Sequence, residues 1–185
     1  DRGSRLLNDG TWLVRKNPER DDGLFTDSYL HELYAGLGEA DVCELERLIA
    51  GTLPSALASF YREANGLSLF AKSLSIRGLR KNYSRTSENR LPVSLEYGNV
   101  IERPKNDERS QVRFGWYPIG KAELVIYRDQ PDKVFAVPRY SAGPVLFEWV
   151  SFEEFLLTEV DRLIGLYQER QGAVNFLEPL PPPWL

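Results

Sequence analysis

The chain has 185 residues, a net charge of −4 and a hydrophobic fraction of 42%, values typical of one soluble globular domain that folds alone. The slight negative charge argues against nucleic acid as the main partner, because that binding needs clustered Lys and Arg, and no apolar run approaches the ~20 residues that cross a bilayer. A single cysteine excludes an internal disulfide, which agrees with a reducing compartment. Together with the lack of a long apolar run, this predicts a cytoplasmic protein without a membrane segment.

Charge is unevenly distributed along the chain. Between Lys72 and Arg90 six basic residues accompany one acidic residue, whereas between Asp27 and Leu48 six acidic residues accompany one basic residue. Two solvated faces of different sign explain this pattern, and so does a polarised surface that steers a partner of uneven charge.

The first 38 residues are interpreted as an N-terminal extension with a possible helix at 26–36, whose apolar stripe consists of Leu30, Leu33 and Tyr34. A helix is predicted at 41–50, because Asp41 and Glu44 have the spacing of a capping box. Its apolar face comprises Val42, Leu45, Leu48 and Ile49.

The stretch LPSALASFYREANGL, residues 53–67, predicts the next helix. Pro54 suits a first helical position, and Asn65-Gly66 tolerates the left-handed conformation that ends a helix. One face collects Leu53, Leu57, Phe60, Tyr61 and Ala64.

The period then changes from helical to extended. Leu74 and Ile76 alternate with polar residues, which predicts a half-buried strand. Residues 80–92 are polar and without period, which indicates a long exposed loop. Further strands are predicted at 112–120 and 144–150, and residues 123–128 and 133–138 are expected to form an antiparallel hairpin around Pro131 and Asp132.

Residues 151–167 predict a final helix, in which Ser151 and Glu154 form a second capping box. Its apolar face is expected to comprise Phe152, Phe155, Leu156, Val160, Leu163, Ile164 and Tyr167, and its solvent face Glu153, Glu154, Glu159 and Asp161. The proline-rich tail at 169–185 is predicted to be extended, either lying on the domain or free.

The order of helices, strands and a closing helix predicts an α+β domain over residues 39–168. Its antiparallel sheet is expected to have about five or six strands, packed by N-terminal helices and the C-terminal helix.

Several of these features, in this order, resemble the SUKH superfamily between residue 41 and about residue 167. They are the amphipathic helix, the Leu-Pro that opens the second helix, the Asn-Gly stop, the strand containing Pro118-Ile119-Gly120, the hairpin ending in KVFAV, and the Phe-Glu-Glu-Phe-Leu helix at 152–156. The resemblance implies that the chain is a bacterial immunity protein, which binds and neutralises a polymorphic toxin domain of nuclease or deaminase type. Fungal relatives act as scaffolds in cell-wall regulation, which leaves a regulatory scaffold as an alternative.

The residues themselves favour a non-enzymatic protein without a cofactor or metal. His31 is the only histidine and is expected to be structural or solvated, Cys43 is expected to be a partly buried, inert thiol, and no glycine-rich phosphate loop is present. A small hydrolase that uses only carboxylates from distant residues stays open as a competing class. A scaffold that binds through the proline-rich tail is the non-enzymatic competitor.

Partner contacts are expected on an open sheet face and its connecting loops, because the helices need their apolar stripes for the core. The candidate residues combine aromatic anchors with charges suited to a polar rim. They are Trp116, Tyr127, Arg128, Asp129 and Glu148.

Overall fold

The computed structural model describes residues 3–15, 29–81, 91–103, 111–140, 143–175 and 177–185. The strands are β1 (Ser4–Leu6), β2 (Trp12–Arg15), β3 (Tyr29–Ala35), β4 (Ala64–Leu69), β5 (Leu74–Ile76), β6 (Gln111–Tyr117), β7 (Ala122–Tyr127), β8 (Val134–Pro138) and β9 (Phe147–Trp149). The helices are α1 (Glu39–Leu48), α2 (Ser55–Glu63) and α3 (Phe152–Glu169), with a π-helical turn at Tyr97–Ile101 and a 3-10 turn at Ile119–Lys121.

The nine strands of the described chain form one antiparallel sheet in which each strand pairs with its neighbours in sequence order. The predicted α+β class and the antiparallel pairing are confirmed. The predicted number of five or six strands is wrong, because β1, β2, β3 and β4 extend the same sheet on the N-terminal side.

The predicted helix at 26–36 is wrong for residues 29–35, which form β3; residues 26–28 lie outside the described ranges. In β3, Leu33 lies between Trp12 of β2 and Leu67 of β4. Three apolar residues gave only a weak helical stripe, and pairing on both sides decides the conformation here because neighbouring strands satisfy the backbone hydrogen bonds.

Asn65 and Gly66 serve a strand rather than a helix end, so that prediction is wrong. The helix α2 ends at Glu63, and Asn65 lies in β4, where its side-chain amide donates to Leu79 O at 2.9 Å and accepts from Leu79 N at 2.6 Å. Gly66 has φ +85°, and a Cβ there would lie 2.6 Å from Ile76 O. The glycine therefore permits close contact between two chain segments.

Helix α1 begins at Glu39, two residues before the predicted cap. Gly38 is the N-cap, and no side chain caps this helix. The capping box of Asp41 and Glu44 is therefore wrong, because Glu44 instead pairs with Arg47 one turn later.

Helix α3 has the predicted cap at Ser151, whose Oγ accepts a hydrogen bond from Glu154 N at 3.0 Å. The predicted exposure of Glu159 is wrong, because its carboxylate is buried. Tyr117 Oη donates to Glu159 at 2.7 Å, and Arg162 donates to both carboxylate oxygens. Burial and the neighbouring Glu159 charge raise the pKa of Tyr117, which keeps it a protonated donor.

The main core lies between the helices and one face of the sheet, which we call the helix face. Leu67, Ile76, Leu124 and Ala136 follow one another across this face in register from β4 to β8. The opposite face is called the second face. Ser75 of β5 lies on the second face and is buried, as are the other two residues of this strand. The prediction that β5 is half-buried is therefore wrong.

The predicted strand at 112–120 is confirmed as β6, the hairpin as β7 and β8, and the strand at 144–150 as the shorter β9. Most of the predicted polar loop, residues 82–90, lies outside the described ranges. Among the residues the structure describes, no helix combines the length and apolar character that a membrane crossing requires.

The proline-rich tail lies on the domain. Leu180 is 1% exposed, and its backbone N–H donates to Ser73 Oγ at 2.8 Å. Trp184 packs edge-on against Tyr117, with 5.2 Å between ring centroids, and Arg162 Nη1 donates to Pro181 O at 2.7 Å. The tail therefore contributes apolar side chains to the core and hydrogen bonds to the helix face.

We expect Leu180→Ala to lower the free energy of unfolding by about 2 to 4 kcal/mol, because it removes a fully buried leucine side chain. Leu177→Ala is the matched control in the same tail, since Leu177 is 86% exposed. Urea denaturation measures both. Equal stability of the two variants would show that the tail does not contribute to the core.

His31 packs edge-on against Phe70, with 4.6 Å between ring centroids, and its Nδ1 accepts from Phe70 N at 3.4 Å. Burial lowers the pKa of His31 from 6.5 to about 4. The folded state therefore resists protonation, and this contribution to stability is complete above pH 6.5 and is lost as the pH falls toward 4.

Between pH 7 and pH 4 the wild type should lose on the order of 3 kcal/mol more unfolding free energy than His31→Asn, in which no imidazole titrates. The amide oxygen of Asn can replace Nδ1 as the acceptor from Phe70. Urea unfolding at the two pH values measures the difference. If both proteins lose the same amount of free energy, His31 is not buried in its neutral form.

Candidate functional site

The strand register determines which of the predicted contact residues share a face. Trp116 pairs with Glu123, Gln111 pairs with Tyr127, and Phe135 pairs with Glu148. Because directly paired residues project to the same side of a sheet, Trp116, Tyr127 and Glu148 all lie on the second face.

The other two predicted contacts, Arg128 and Asp129, are exposed in the turn between β7 and β8. The guanidinium of Arg128 lies against Gly51, in the loop between α1 and α2. Arg128 thus reaches toward the helices, and the structure does not bring it together with Trp116 on the second face.

The second face is not open, so that prediction is wrong. Its central residues Val125, Phe135 and Val137 form a small apolar cluster and are buried, and Tyr127 packs edge-on against Phe135 with 5.0 Å between ring centroids. Of the predicted contacts on this face, Trp116 and Tyr127 are half-buried and Glu148 is exposed and paired with Lys133. A partner can reach the margins of this face but not its centre.

A buried ion pair joins three strands on the second face. Arg77, which follows β5, donates from Nη1 to Glu123 Oε2 at 2.6 Å and from Nη2 to Glu123 Oε1 at 3.0 Å, and both side chains are almost fully buried. The Trp116 ring lies against the guanidinium, with 4.8 Å from Cζ to the ring centroid. The bidentate geometry and the aromatic contact offset the cost of burying two charges.

The ion pair extends into a longer network. Arg139, after β8, lies 3.0 Å from Glu123 Oε1 and donates to Glu102 at 2.6 Å. Glu102 belongs to residues 91–103, which we call the 91–103 segment. Both oxygens of the Glu123 carboxylate are thereby occupied by guanidinium groups.

The 91–103 segment continues the structure beyond the end of β5. Gly78 N donates to Val93 O at 3.0 Å, and Leu95 N donates to Gly78 O at 2.8 Å. Asn99 then makes two hydrogen bonds of 2.9 Å to the backbone of Arg113 in β6. Backbone bonds therefore fix the segment before its π-helical turn, and side-chain bonds fix it within the turn.

Gly98 lies against the guanidinium of Arg77, where a Cβ would be only 2.8 Å from Cζ. Gly98 and Trp116 consequently contact the same charged group. The absence of a side chain at residue 98 lets the π-helical turn lie close to the ion pair.

This segment presents a group of exposed apolar side chains, which we call the apolar patch. Val100 is 56% and Ile101 61% exposed, and a group of exposed apolar side chains is more informative than a single one. The patch comprises Val93, Tyr97, Val100 and Ile101. Short π-helical turns occur frequently at functional sites.

Sequence reasoning did not find this surface. No element was predicted for residues 93–101, because a π-helical turn has neither the helical nor the alternating period. The isolated cluster of Val93, Leu95, Tyr97, Val100 and Ile101 after a polar stretch was the available signal.

The remaining candidates for chemistry are not gathered into a site. Cys43 is exposed on α1, so its predicted partial burial is wrong. Within the described ranges, no three His, Cys, Asp or Glu side chains lie close enough to hold a metal ion.

Comparison with protein family models gave no match, and comparison with curated proteins gave none either.

Glu123→Gln should lower the unfolding free energy by about 3 to 5 kcal/mol, because it leaves the buried charge of Arg77 without its counterion. The control is Glu44→Gln, which removes an exposed partner of Arg47 and should leave the unfolding free energy nearly unchanged, because solvent screens an exposed pair. Chemical denaturation measures both. Similar small losses would mean that the charge at residue 123 does not matter to the fold.

Proposed function

We propose that the chain is a non-enzymatic protein-binding domain and, within that class, an immunity protein that binds and neutralises a cognate toxin domain of nuclease or deaminase type. The observation that carries protein binding is the apolar patch, whose π-helical turn lies against the same Arg77 guanidinium that Trp116 contacts. The immunity role is supported only by the resemblance of residues 41 to about 167 to the SUKH superfamily.

The patch has the composition of an interface centre. Tyr97 and Trp116 supply aromatic surface, and Val100 and Ile101 supply exposed aliphatic surface. Aromatic residues in well-packed settings carry much of the energy of protein interfaces, and charged residues are depleted at the centre. We therefore propose the patch and Trp116 as the central contact.

The rigidity of the segment favours tight binding. Asn99 and Gly98 fix the π-helical turn against β6 and Arg77 before any partner arrives. A surface that is already ordered loses less conformational entropy on association.

The other predicted contacts lie away from this proposed centre. Tyr127 and Glu148 lie at the edges of the buried second face, and Arg128 and Asp129 lie in the adjoining turn. If the toxin is a basic nuclease, Asp129 and Glu148 would speed association through their charge, an effect that salt screens.

The two alternatives fit the contacts less well. A scaffold that binds through the tail would have to detach Leu180 and Trp184 from the core. In the described part of the chain, the buried carboxylates of Glu123 and Glu159 are both engaged by arginines, so these two are not available to a carboxylate hydrolase. Turnover on nuclease, phosphatase or glycosidase substrates that one Asp or Glu substitution abolishes would nevertheless establish the hydrolase.

Val100→Asp should weaken binding by about 2 kcal/mol or more, roughly thirtyfold, because it places a charge in the apolar centre. The measurement is titration calorimetry against the toxin domain encoded beside the gene, with Trp116→Ala and Tyr127→Ala as further variants. Leu157→Asp is the control, since Leu157 is 61% exposed on α3 and distant in sequence from the patch.

Circular dichroism must show that each variant is folded. If Val100→Asp and Trp116→Ala bind as tightly as wild type, the patch is not the interface. If Tyr127→Ala alone weakens binding, the interface lies at the opposite margin of the second face.

A further inference from the structure

The proline-rich tail lies over two stretches of backbone with an unusual conformation. Six of the described residues other than glycine have a positive φ, a region that L-residues rarely occupy. Two of them follow the ends of α1 and α3, where left-handed residues are common. The other four lie in two turns that the tail contacts: Phe70, Ala71, Lys72 and Lys121.

The first turn joins β4 to β5. Its residues Phe70, Ala71 and Lys72 have φ of +46°, +52° and +72°, and a run of left-handed residues without glycine costs conformational free energy. Ser73 stabilises this turn, because its Oγ donates to Phe70 O at 2.6 Å. The same Oγ accepts from Leu180 N at 2.8 Å. The tail is therefore bonded to the residue that holds the turn in its left-handed conformation.

The second turn precedes β7 and lies under the other end of the tail. Gly120 has φ +77° and Lys121 has φ +46°. A Cβ at residue 120 would lie 3.1 Å from Trp184 Nε1 and 3.3 Å from Pro182 Cγ, so the missing side chain lets the tail lie directly on the backbone. Strained backbone of this kind persists where the surroundings determine it, and it is typical of ligand clamps and switches.

The contacts with the tail are those that recognise a proline-rich segment. The prolines at 179 and 181–183 fix φ and lack an N–H, which favours an extended chain whose carbonyl groups can accept hydrogen bonds. Arg162 Nη1 donates to Pro181 O at 2.7 Å, and the ring of Tyr117 contacts that of Trp184. Aromatic side chains and hydrogen-bond donors are the usual means by which grooves bind such segments.

We propose that this surface, which we call the tail groove, is a recognition site for a proline-rich segment of a protein partner with the sequence type Leu-Pro-Pro-Pro-Trp. The tail groove comprises Ser73, Tyr117, Gly120 and Arg162. The chain's own tail occupies it as an intramolecular competitor. Because the tail is tethered, its effective concentration is high, and a partner binds only by displacing it.

This site does not depend on the proposed toxin partner. Tyr117 contributes to the tail groove on the helix face, whereas its neighbour Trp116 lies on the second face near the apolar patch. Val100→Asp tests the apolar patch and Trp184→Ala tests the tail groove, so either proposal can fail alone.

The experiment measures fluorescence polarisation of a dye-labelled peptide with the sequence of residues 178–185, titrated with the full chain. Trp184→Ala should bind the peptide at least about tenfold more tightly than the wild type, because its own tail competes without the aromatic contact. Leu177→Ala is the matched control in the same tail and should behave as wild type, since Leu177 is 86% exposed. A peptide with alanine in place of tryptophan should bind Trp184→Ala at least about tenfold more weakly.

A second measurement needs no variant. If the tail can be displaced, it must open without global unfolding, so native-state hydrogen exchange of the wild type should show a protection factor at Leu180 N at least about tenfold lower than at Leu163 N, in the buried part of α3. Equal protection of the two amides would mean that the tail leaves only when the domain unfolds, which overturns the proposal.

Circular dichroism must show that Trp184→Ala is folded. The proposal is also overturned if the peptide does not bind this variant at millimolar concentration, if it binds wild type and variant equally, or if its tryptophan makes no difference. Sedimentation of the wild type distinguishes the occupant. A monomer supports an outside partner, whereas a dimer that the free peptide dissociates would assign the tail groove to the tail of a second copy and overturn the proposed partner.

Discussion

The buried ion pair of Arg77 and Glu123 is the interaction on which the second face depends. It joins the residue after β5 to β7, contacts Trp116 of β6, and continues through Arg139 to Glu102 of the 91–103 segment. A buried pair of this kind adds little net stability, since desolvation offsets much of the attraction. The pair instead determines how the strands and the 91–103 segment are arranged, because burial of each charge is tolerated only beside the other charge.

The two faces of the sheet are therefore closed by different means. The helix face is covered by apolar side chains of the three helices and by the tail, with Glu159 held between Tyr117 and Arg162. On the second face, charge and hydrogen bonds position the 91–103 segment. Since its backbone is fixed by Asn99 and Gly78, the segment can expose Val100 and Ile101 without support from their side chains.

Local sequence patterns correctly predicted the helices and strands that show a full helical or alternating period of apolar residues. Helix α3 with its cap at Ser151, and the hairpin around Pro131, follow from spacing and turn chemistry alone. The helix end predicted at Asn65-Gly66 was wrong, because residues that commonly end a helix also permit a close approach between strands. The strand β3 could not be predicted from its own sequence, because its conformation depends on pairing with β2 and β4.

The candidate site was predictable only in part. Alternation along β6 correctly separates Trp116 from Tyr117, which lie on opposite faces. Alternation in β5 could not show that Arg77 is buried, because burial of its charge depends on Glu123, a partner 46 residues away. Alternation likewise cannot show that the second face is buried, nor that a π-helical turn lies beside it.

The most direct test is native-state hydrogen exchange of Gly98→Ala. A Cβ at residue 98 would meet the guanidinium that Glu123 holds in place, so the segment must move away from β6. Exchange should accelerate by at least about tenfold at the amides of Leu95, Glu102 and Arg113, while α3 keeps its protection. Gly165→Ala is the control, since a Cβ there meets nothing. Unchanged protection of these three amides in Gly98→Ala would contradict the dependence of the segment on the ion pair.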